Sequence, residues 1–473
     1  MPSNHTGLKA LFDYPLMSAI RERRSRRLSR GTSVLGTELG HTSTNQPAPL
    51  SPLEEAVLVA ATGLTGTVQH DGPLQLPNGG PEIGTPFMNI LARSGSSPDN
   101  AQATSFFMIN DEGIWLIKHP RGRQALDMMK GLPPSWADWK ESDWLAIANA
   151  VKVKIFDQRL EFPRKFPYYF NWNKQLSNRP GTTLFYPVVD CTRACINIII
   201  MLLSEPDGER PIFLDDWQQF HPKDPMELAA WLATNLGFVD KKIPYQPIGG
   251  IKRAQGGFVN PEINLPLGLA STMRVDFEAF FLLQNLMLIG QGMGLGGWIH
   301  AAISHPYIFE RNPAKEWMGL GFRMQKPDKE WAHWPPVPAS QPNPIGIDGI
   351  LESLTPPYVK SMSEAVDRVL EEKYGSAGAY GDLEIFKRAY NSQGDAETYL
   401  KRAQHYPKEA IKYAKEICKY IFDTYGRFPA HVNAFHTPGV WLQFSHLELE
   451  YYEKYFKPAQ YERQAQHQSM WGE

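Results

Sequence analysis

The sequence predicts a chain of mixed helices and strands built around a large core. Three observations carry that expectation. In "SFFMINDEGIWLIK" two apolar runs flank residues 110–113, the pattern of a β-hairpin. In "FEAFFLLQNLMLIGQGM" apolar residues occupy nearly every side of several helical turns, as in a buried helix. Hydrophobic residues make up 42% of the 473 and charged residues 21%, enough apolar surface for a real interior.

The elements follow in order. Residues 14–30 open as a helix with Leu16 and Ile20 on one face, and 31–50 are loop. Residues 49–66 form a helix with Ser51 as N-cap, Pro52 at the first position, Glu54 and Glu55 in the first turn and Gly63 as the stop. After a loop-rich stretch, 67–104, come hairpin strands at 105–109 and 114–118. "GTTLFYPVVD" (181–190) is a further strand, followed by an apolar helix from Thr192 to Leu203. "RPIFLDD" reads as a short strand, 225–237 as a helix closed by Gly237, and Val275 to Met293 as the core helix. Residues 316–324 are a strand, and the Pro-rich passage from Pro335 to Pro357 is a surface linker. Amphipathic helices at 361–374, 396–403, 407–425 and 445–458 make 346–473 a helical C-terminal extension.

Several function classes are disfavoured. A net charge of −2 gives no global signal for nucleic acid or a membrane surface. The longest apolar run, Ile196 to Leu203, is too short to span a bilayer. The first thirty residues lack a secretory apolar region. Three cysteines, Cys191, Cys195 and Cys418, make no disulfide framework. These features lead us to expect a cytoplasmic protein in a reducing compartment.

Four groups of residues could carry chemistry. "RERRSRR", Arg21 to Arg27, offers guanidinium forks and one hydroxyl, which suit a phosphate and equally a solvated basic patch. "ARSGSSPDNAQATSFFMI" brings Ser96, Ser97 and Asn100 onto a strand, either as a plain turn or as donors to a polar heterocycle. Gly290, Gly292, Gly294, Gly296 and Gly297 close the core helix just before Trp298 and His300. They permit close helix packing with a C-cap, or backbone contact with a flat ligand. His431, His436, His446, Glu448 and Glu450 could ligate a metal, but their spacing matches no compact motif, so no metal is assigned. Lining of a covered pocket by His436, Trp441 and His446 is the preferred use of this tail. In the middle of the chain Tyr168, Tyr169, Trp172 and Asn173 are candidates for substrate contact or for core packing.

Taken in order, these features resemble the FMN-dependent nitroreductase family. They are Arg23-x-Ser25-x-Arg27, the "PLSPLEEAVLVAATG" helix, the Ser-rich loop into "FFMINDEGIWLI", then "QNLMLIGQGMGLGG" and "WMGLGFRM". The likeness is greatest to the larger branch that includes the azoline-oxidising flavin enzymes of peptide maturation. It covers about 14–118 and 270–325, making 10–345 a flavin domain with a 119–269 insertion. The C-terminal extension has no counterpart.

The resemblance implies an α+β fold with a central antiparallel sheet flanked by helices. It also implies an intertwined homodimer with FMN at each of two interface sites. By position, Arg23, Ser25 and Arg27 would hold the FMN phosphate. Asn100, with Ser96 and Ser97, would face the isoalloxazine. Gly294, Gly296 and Gly297 would pass close to the ring, and Arg323 would reach the phosphate or ring O2. Basic residues near the C-terminus complete the phosphate site in minimal members; that alignment is lost here. Trp298, His300, Tyr169 and Trp172 would form the substrate pocket, and no side chain is singled out as catalytic. The implied activity is hydride transfer through flavin N5 between NAD(P)H, or O2 as acceptor, and a small aromatic or conjugated substrate. The alternatives are a flavin-binding protein without turnover and a metal-dependent enzyme centred on the C-terminal histidines.

Overall fold

A computed structural model describes the chain except at residues 1–4, 37, 65–86, 215–228, 230–231, 234–235, 239–252, 254–255, 305–306, 326–342, 404, 431–438 and 473. The expected helix at 225–237 lies largely outside the described residues, as do His431 and His436.

The fold is α+β, and its centre is an antiparallel sheet in the order β3-β2-β1-β4-β13-β7. The strands are β1 (Thr104–Asn110), β2 (Gly113–Ile117), β3 (Lys152–Phe156), β4 (Thr183–Val189), β7 (Gly296–His300) and β13 (Trp441–Ser445). Smaller sheets pair β5 (Pro211–Leu214) with β6 (Asn260–Pro266) and β8 (Arg311–Asn312) with β9 (Trp317–Met318). A third joins β10 (Arg323–Gln325), β11 (Asn343–Ile347) and β12 (Leu351–Glu352). The helices, in chain order, are α1 (Thr6–Phe12), α2 (Leu16–Glu22), α3 (Pro52–Ala61), α4 (Gly122–Met128), α5 (Glu141–Val151), α6 (Cys191–Leu202) and α7 (Leu267–Met293). There follow α8 (Met362–Tyr374), α9 (Leu383–Phe386), α10 (Gln393–Arg402), α11 (Lys408–Tyr425), α12 (Leu449–Tyr455), α13 (Glu462–Ala465) and α14 (His467–Trp471).

Local chemistry accounts for the first elements. The β1–β2 turn is closed by the Asn110 side chain, whose Oδ1 accepts the Glu112 N–H at 3.0 Å. Helix α3 starts with a capping box: Ser51 Oγ accepts the Glu54 N–H, and Glu54 accepts the Ser51 N–H at 2.6 Å. The strand period of two sorts β1 between two cores. Phe106 and Met108 face α3, α5 and α7, while Phe107 and Ile109 face Tyr169, Trp317 and Phe322. A third core joins α6, α8 and α11 to α7, and the three cysteines lie buried there.

The structure corrects four expectations. The C-terminal segment is not purely helical: "WLQFS" forms β13 and lies between β4 and β7 in the main sheet. Its Leu442 and Phe444 fill the α7 side and Trp441 the other, so the segment completes the core instead of covering it. The 119–269 region likewise supplies β3 and β4. The strand expected at 316–324 breaks into β9 and β10. Between them the backbone presses against that of Ile308–Glu310, with Leu320 N–H bonded to Ile308 O and Phe322 N–H to Phe309 O at 2.7 Å each. Within the expected linker, Asn343–Ile347 is a fully buried strand anchored by Asn343 Nδ2 to Phe428 O at 2.6 Å.

Candidate functional site

The arginine segment leaves the end of α2 and runs extended along the open edge of the sheet. Its Arg26 N–H reaches Gly297 O on β7 at 3.2 Å. Extended backbone sends alternate side chains to opposite sides. Arg26 and Leu28 go inward, while Ser25 and Arg27 stay exposed and Arg23 is half-buried. Arg26 is a structural residue: its guanidinium bonds Gln460 O at 2.6 Å and Gln291 Oε1 at 3.1 Å, and burial lowers its pKa.

The outward row is held differently. Arg27 bonds Asn173 Oδ1 at 2.7 Å, and its guanidinium carbon stands 6.0 Å from the centre of the Trp298 ring. Arg23 Nε is buried and has no hydrogen-bond partner among the described residues. Among the described residues, no carboxylate lies within ion-pair distance of Arg21, Arg23, Arg24 or Arg27. Several guanidiniums and a hydroxyl therefore share one edge without an ion pair, the nearby Glu22 being bonded by the Tyr14 hydroxyl at 2.7 Å. That is the chemistry of an anion cradle.

The glycine turn has another job than the one expected. Gly294 has φ +80, a conformation that closes α7 and disfavours any side chain. A Cβ there would lie 2.7 Å from Arg463 O, and one on Gly297 would lie 2.8 Å from Phe444 Cε1. Gly296 is covered in the same way by Leu447. The side-chain positions of Gly294, Gly296 and Gly297 are thus filled by the C-terminal segment, which leaves no room there for a flat ring.

Trp298 and His300 share one face of β7, with ring centres 4.1 Å apart. Trp298 is 2% exposed, buried beneath Arg27. Burial brings the His300 pKa down to about 3, against a hydrogen-bond contribution from Gln443, so the ring is neutral. The expected pocket therefore splits. Trp298 and His300 are buried beside each other, and Tyr169 belongs to the core, 1% exposed with its ring against Phe162. Trp172 is exposed and stacks flat on Phe170 at 4.6 Å. Trp441, expected to line a channel, is fully buried and stacked on Tyr186 at 4.2 Å.

The Ser-rich loop lies elsewhere in the same chain. The Ser97 hydroxyl donates to Glu278, Asn285 Nδ2 donates to Ser94 O at 2.8 Å, and Gly95 sits on Leu282. The Asn100 amide is spent on Asn89 O at 2.6 Å and Leu91 O at 3.1 Å, which removes it as a donor to a heterocycle. Ser96 alone is exposed. The loop packs on α7 from Asn285, at Ser94, to Glu278, at Ser97, and the arginine segment packs near Gln291, 13 residues beyond the Ser97 contact. At a rise of 1.5 Å per residue that is about 20 Å along the helix. Arg323 is not at the cradle either. It is exposed, 3.6 Å from Asp348, on the small sheet whose Ile350 O accepts a bond from Lys118, just past the end of β2. Four strand spacings, about 19 Å, separate β2 from β7.

Sequence reasoning named Asn173 only as a candidate for substrate contact or core packing, and it did not single out Arg26 or Gln291; all three fix the arginine segment. It also missed a cleft of about 800 Å³ whose walls include Arg93, His119, Arg121 and Arg193. There Arg193 is paired with Asp190 and Glu372 at 2.8 Å each. Arg121 bonds Gln102 O at 2.8 Å, and Arg93 bonds His119 O at 3.1 Å. Burial, reinforced by Arg121, lowers the Arg93 pKa to about 9, and burial with Arg93 nearby lowers that of His119 to about 3. These residues are scattered along the chain, and no spacing announces them.

The C-terminal acids and imidazoles divide into two clusters. Glu448 meets His41 at 3.1 Å and accepts bonds from the Gly31 N–H, Ser43 and Asn45. His446 joins Glu54 and His467, two residues absent from the expected set. Compared with known proteins, the chain matches no family model and no curated protein. Among the described residues no helix is long and apolar enough to cross a membrane.

Proposed function

We propose that the protein is an FMN-dependent oxidoreductase acting as a homodimer. The observation that carries this reading is the uncompensated row of Arg23, Ser25 and Arg27 on the open sheet edge. A phosphate dianion there relieves repulsion among the guanidiniums and gives Arg23 Nε a partner. Bound FMN would supply hydride exchange at N5, between NAD(P)H, or O2 as acceptor, and a small aromatic or conjugated substrate.

The chain's own residues then have distinct tasks. Arg23 and Ser25 bind the phosphate. Arg27, locked by Asn173 and Trp298, sets its orientation. The exposed Trp172–Phe170 stack offers a flat apolar face to an aromatic substrate. His300, neutral at physiological pH, serves packing and not proton transfer.

One chain does not join the cradle to the Ser96–Ser97 loop, and this favours contribution by a second copy. Exposed apolar side chains support a dimer: Leu16, Met17 and Ile20 on α2, and Phe277, Phe280 and Phe281 on α7. The visible spectrum of the purified protein tests the reading, followed by anaerobic titration with NADH and NADPH and a solution mass. Flavin bands that bleach with a nicotinamide are expected, at the mass of two chains. A colourless protein that takes up no FMN sinks the proposal; a yellow one that neither nicotinamide bleaches is a flavin binder.

A further inference from the structure

Glu54, His446 and His467 come from three distant parts of the chain: the first turn of α3, the residue after β13 and the start of α14. His446 Nε2 lies 3.1 Å from Glu54 Oε1 and 3.3 Å from Oε2, and His467 Nε2 lies 2.8 Å from Oε1. The donor atoms all fall within 4.8 Å of one another. Glu54 is 2% exposed, and the imidazoles 19% and 12%.

The protons decide what this arrangement is. His467 Nδ1 is 2.9 Å from Met293 O, a group that can only accept, so Nδ1 carries hydrogen. In the neutral ring Nε2 then presents a lone pair to a carboxylate lone pair at 2.8 Å. Either an imidazolium proton or a metal cation can sit between them, and only a metal cation on the triangle serves all three side chains at once. The supporting contacts are those of a ligand set. Met293 O fixes the His467 tautomer, and the Ser51 N–H holds Glu54 Oε2 at 2.6 Å. Zinc bonds of about 2.0–2.1 Å give tetrahedral edges of about 3.3 Å; Glu54 Oε1 lies 3.1 and 2.8 Å from the two imidazole nitrogens, so loading requires a small opening of the triangle.

We propose that Glu54, His446 and His467 bind a divalent transition cation, zinc foremost, with water at the fourth position. Two imidazoles and one carboxylate suit such an ion and not magnesium or calcium. Its place defines its work: it ties the start of α3, the end of β13 and α14 to the last turn of α7. The site is a structural fastening beneath the arginine edge and does not depend on the flavin reading.

The test uses the full chain without a metal-binding tag, stripped with chelator and titrated with zinc by calorimetry. Metal content and thermal melting are followed alongside. About one zinc per chain is expected, with a melting point that rises on zinc addition. His446→Gln and His467→Gln should each weaken uptake by at least about 10-fold and abolish the rise. Should either variant fail to fold, X-ray absorption of zinc-loaded wild-type protein must show imidazole scattering at about 2.0 Å. The proposal is overturned if folded, stripped protein takes up under about one-fifth of a zinc per chain. It is overturned equally if uptake survives both substitutions unchanged, or if imidazole scattering is missing.

Discussion

Arginines at the sheet edge and arginines in the cleft use one side chain in opposite situations. In the cleft Arg193 meets Asp190 and Glu372, while Arg93 and Arg121 meet only the His119 and Gln102 carbonyls and the buried Nε of Arg93 lacks a partner among the described residues. At the edge, Arg23 has no hydrogen-bond partner for its buried Nε among the described residues, and Arg27 meets one neutral amide. A folded chain compensates charge where charge supports folding. On the proposed reading, the charge left uncompensated at the edge is where the FMN phosphate binds. The clearest contrast is therefore between Arg193, held by two carboxylates, and the edge arginines, which have none within ion-pair distance among the described residues.

The largest expected effect would break the comparison if it failed. Arg23→Ala with Ser25→Ala removes a charged fork and a hydroxyl from the phosphate. Hydrogen bonds to charged groups contribute about 1.5–3 kcal/mol each, so FMN affinity should fall by about 100-fold or more. The melting point of the flavin-free protein should not change. Fluorescence titration with FMN reads the first, calorimetry the second; unchanged affinity refutes the cradle. The cleft predicts the reverse. Arg193→Met leaves Asp190 and Glu372 facing each other without their cation. With Glu372 41% exposed, solvent screens part of the loss, and roughly 1–3 kcal/mol of stability should disappear. FMN affinity should stay within about two-fold of wild type.

Asp276 sharpens the point from the acidic side. Burial raises its pKa to about 7, and its buried Oδ1 has no hydrogen-bond partner. A carboxyl whose folded pKa exceeds its unfolded value favours folding while protonated. That contribution is complete below about pH 4 and lost as pH rises through about 7. Asp276→Asn should therefore stabilise the protein by roughly 1–3 kcal/mol at pH 8 and change little at pH 4. Urea unfolding at the two pH values measures the difference. Equal effects at both would show that Asp276 is solvated in solution.

What the sequence revealed was local. The α3 capping box, the β1–β2 turn and the end of α7 rest on residues within a few positions of one another, and each formed where expected. β13 was hidden because a five-residue apolar run between helices gives no sign of its partners; only the sheet shows that Phe444 needs Gly297 beside it. The same holds for the site. Arg23, Ser25 and Arg27 were visible as a run, whereas Asn173, which fixes Arg27, lies 146 residues away. His467 pairs with Glu54 across an even longer stretch of chain. The glycines misled because the same absence of a side chain serves a ligand and a neighbouring strand equally well.

The smallest expected effect concerns geometry and not charge. Arg27→Lys keeps the cation but loses the planar fork that bonds Asn173 and lies over Trp298. If charge alone held the phosphate, lysine would serve as well as arginine. If orientation matters, the freer ammonium should weaken FMN binding by about 3–10-fold, because a single point charge replaces a fixed pair of donors. Asn173→Ala should act in the same direction with Arg27 intact, since it frees the guanidinium without removing it. The double variant then decides the matter: if Asn173 works through Arg27, adding Asn173→Ala to Arg27→Lys should cost nothing further. Additive losses would place Asn173 in direct contact with the ligand and make Trp172 part of the binding site.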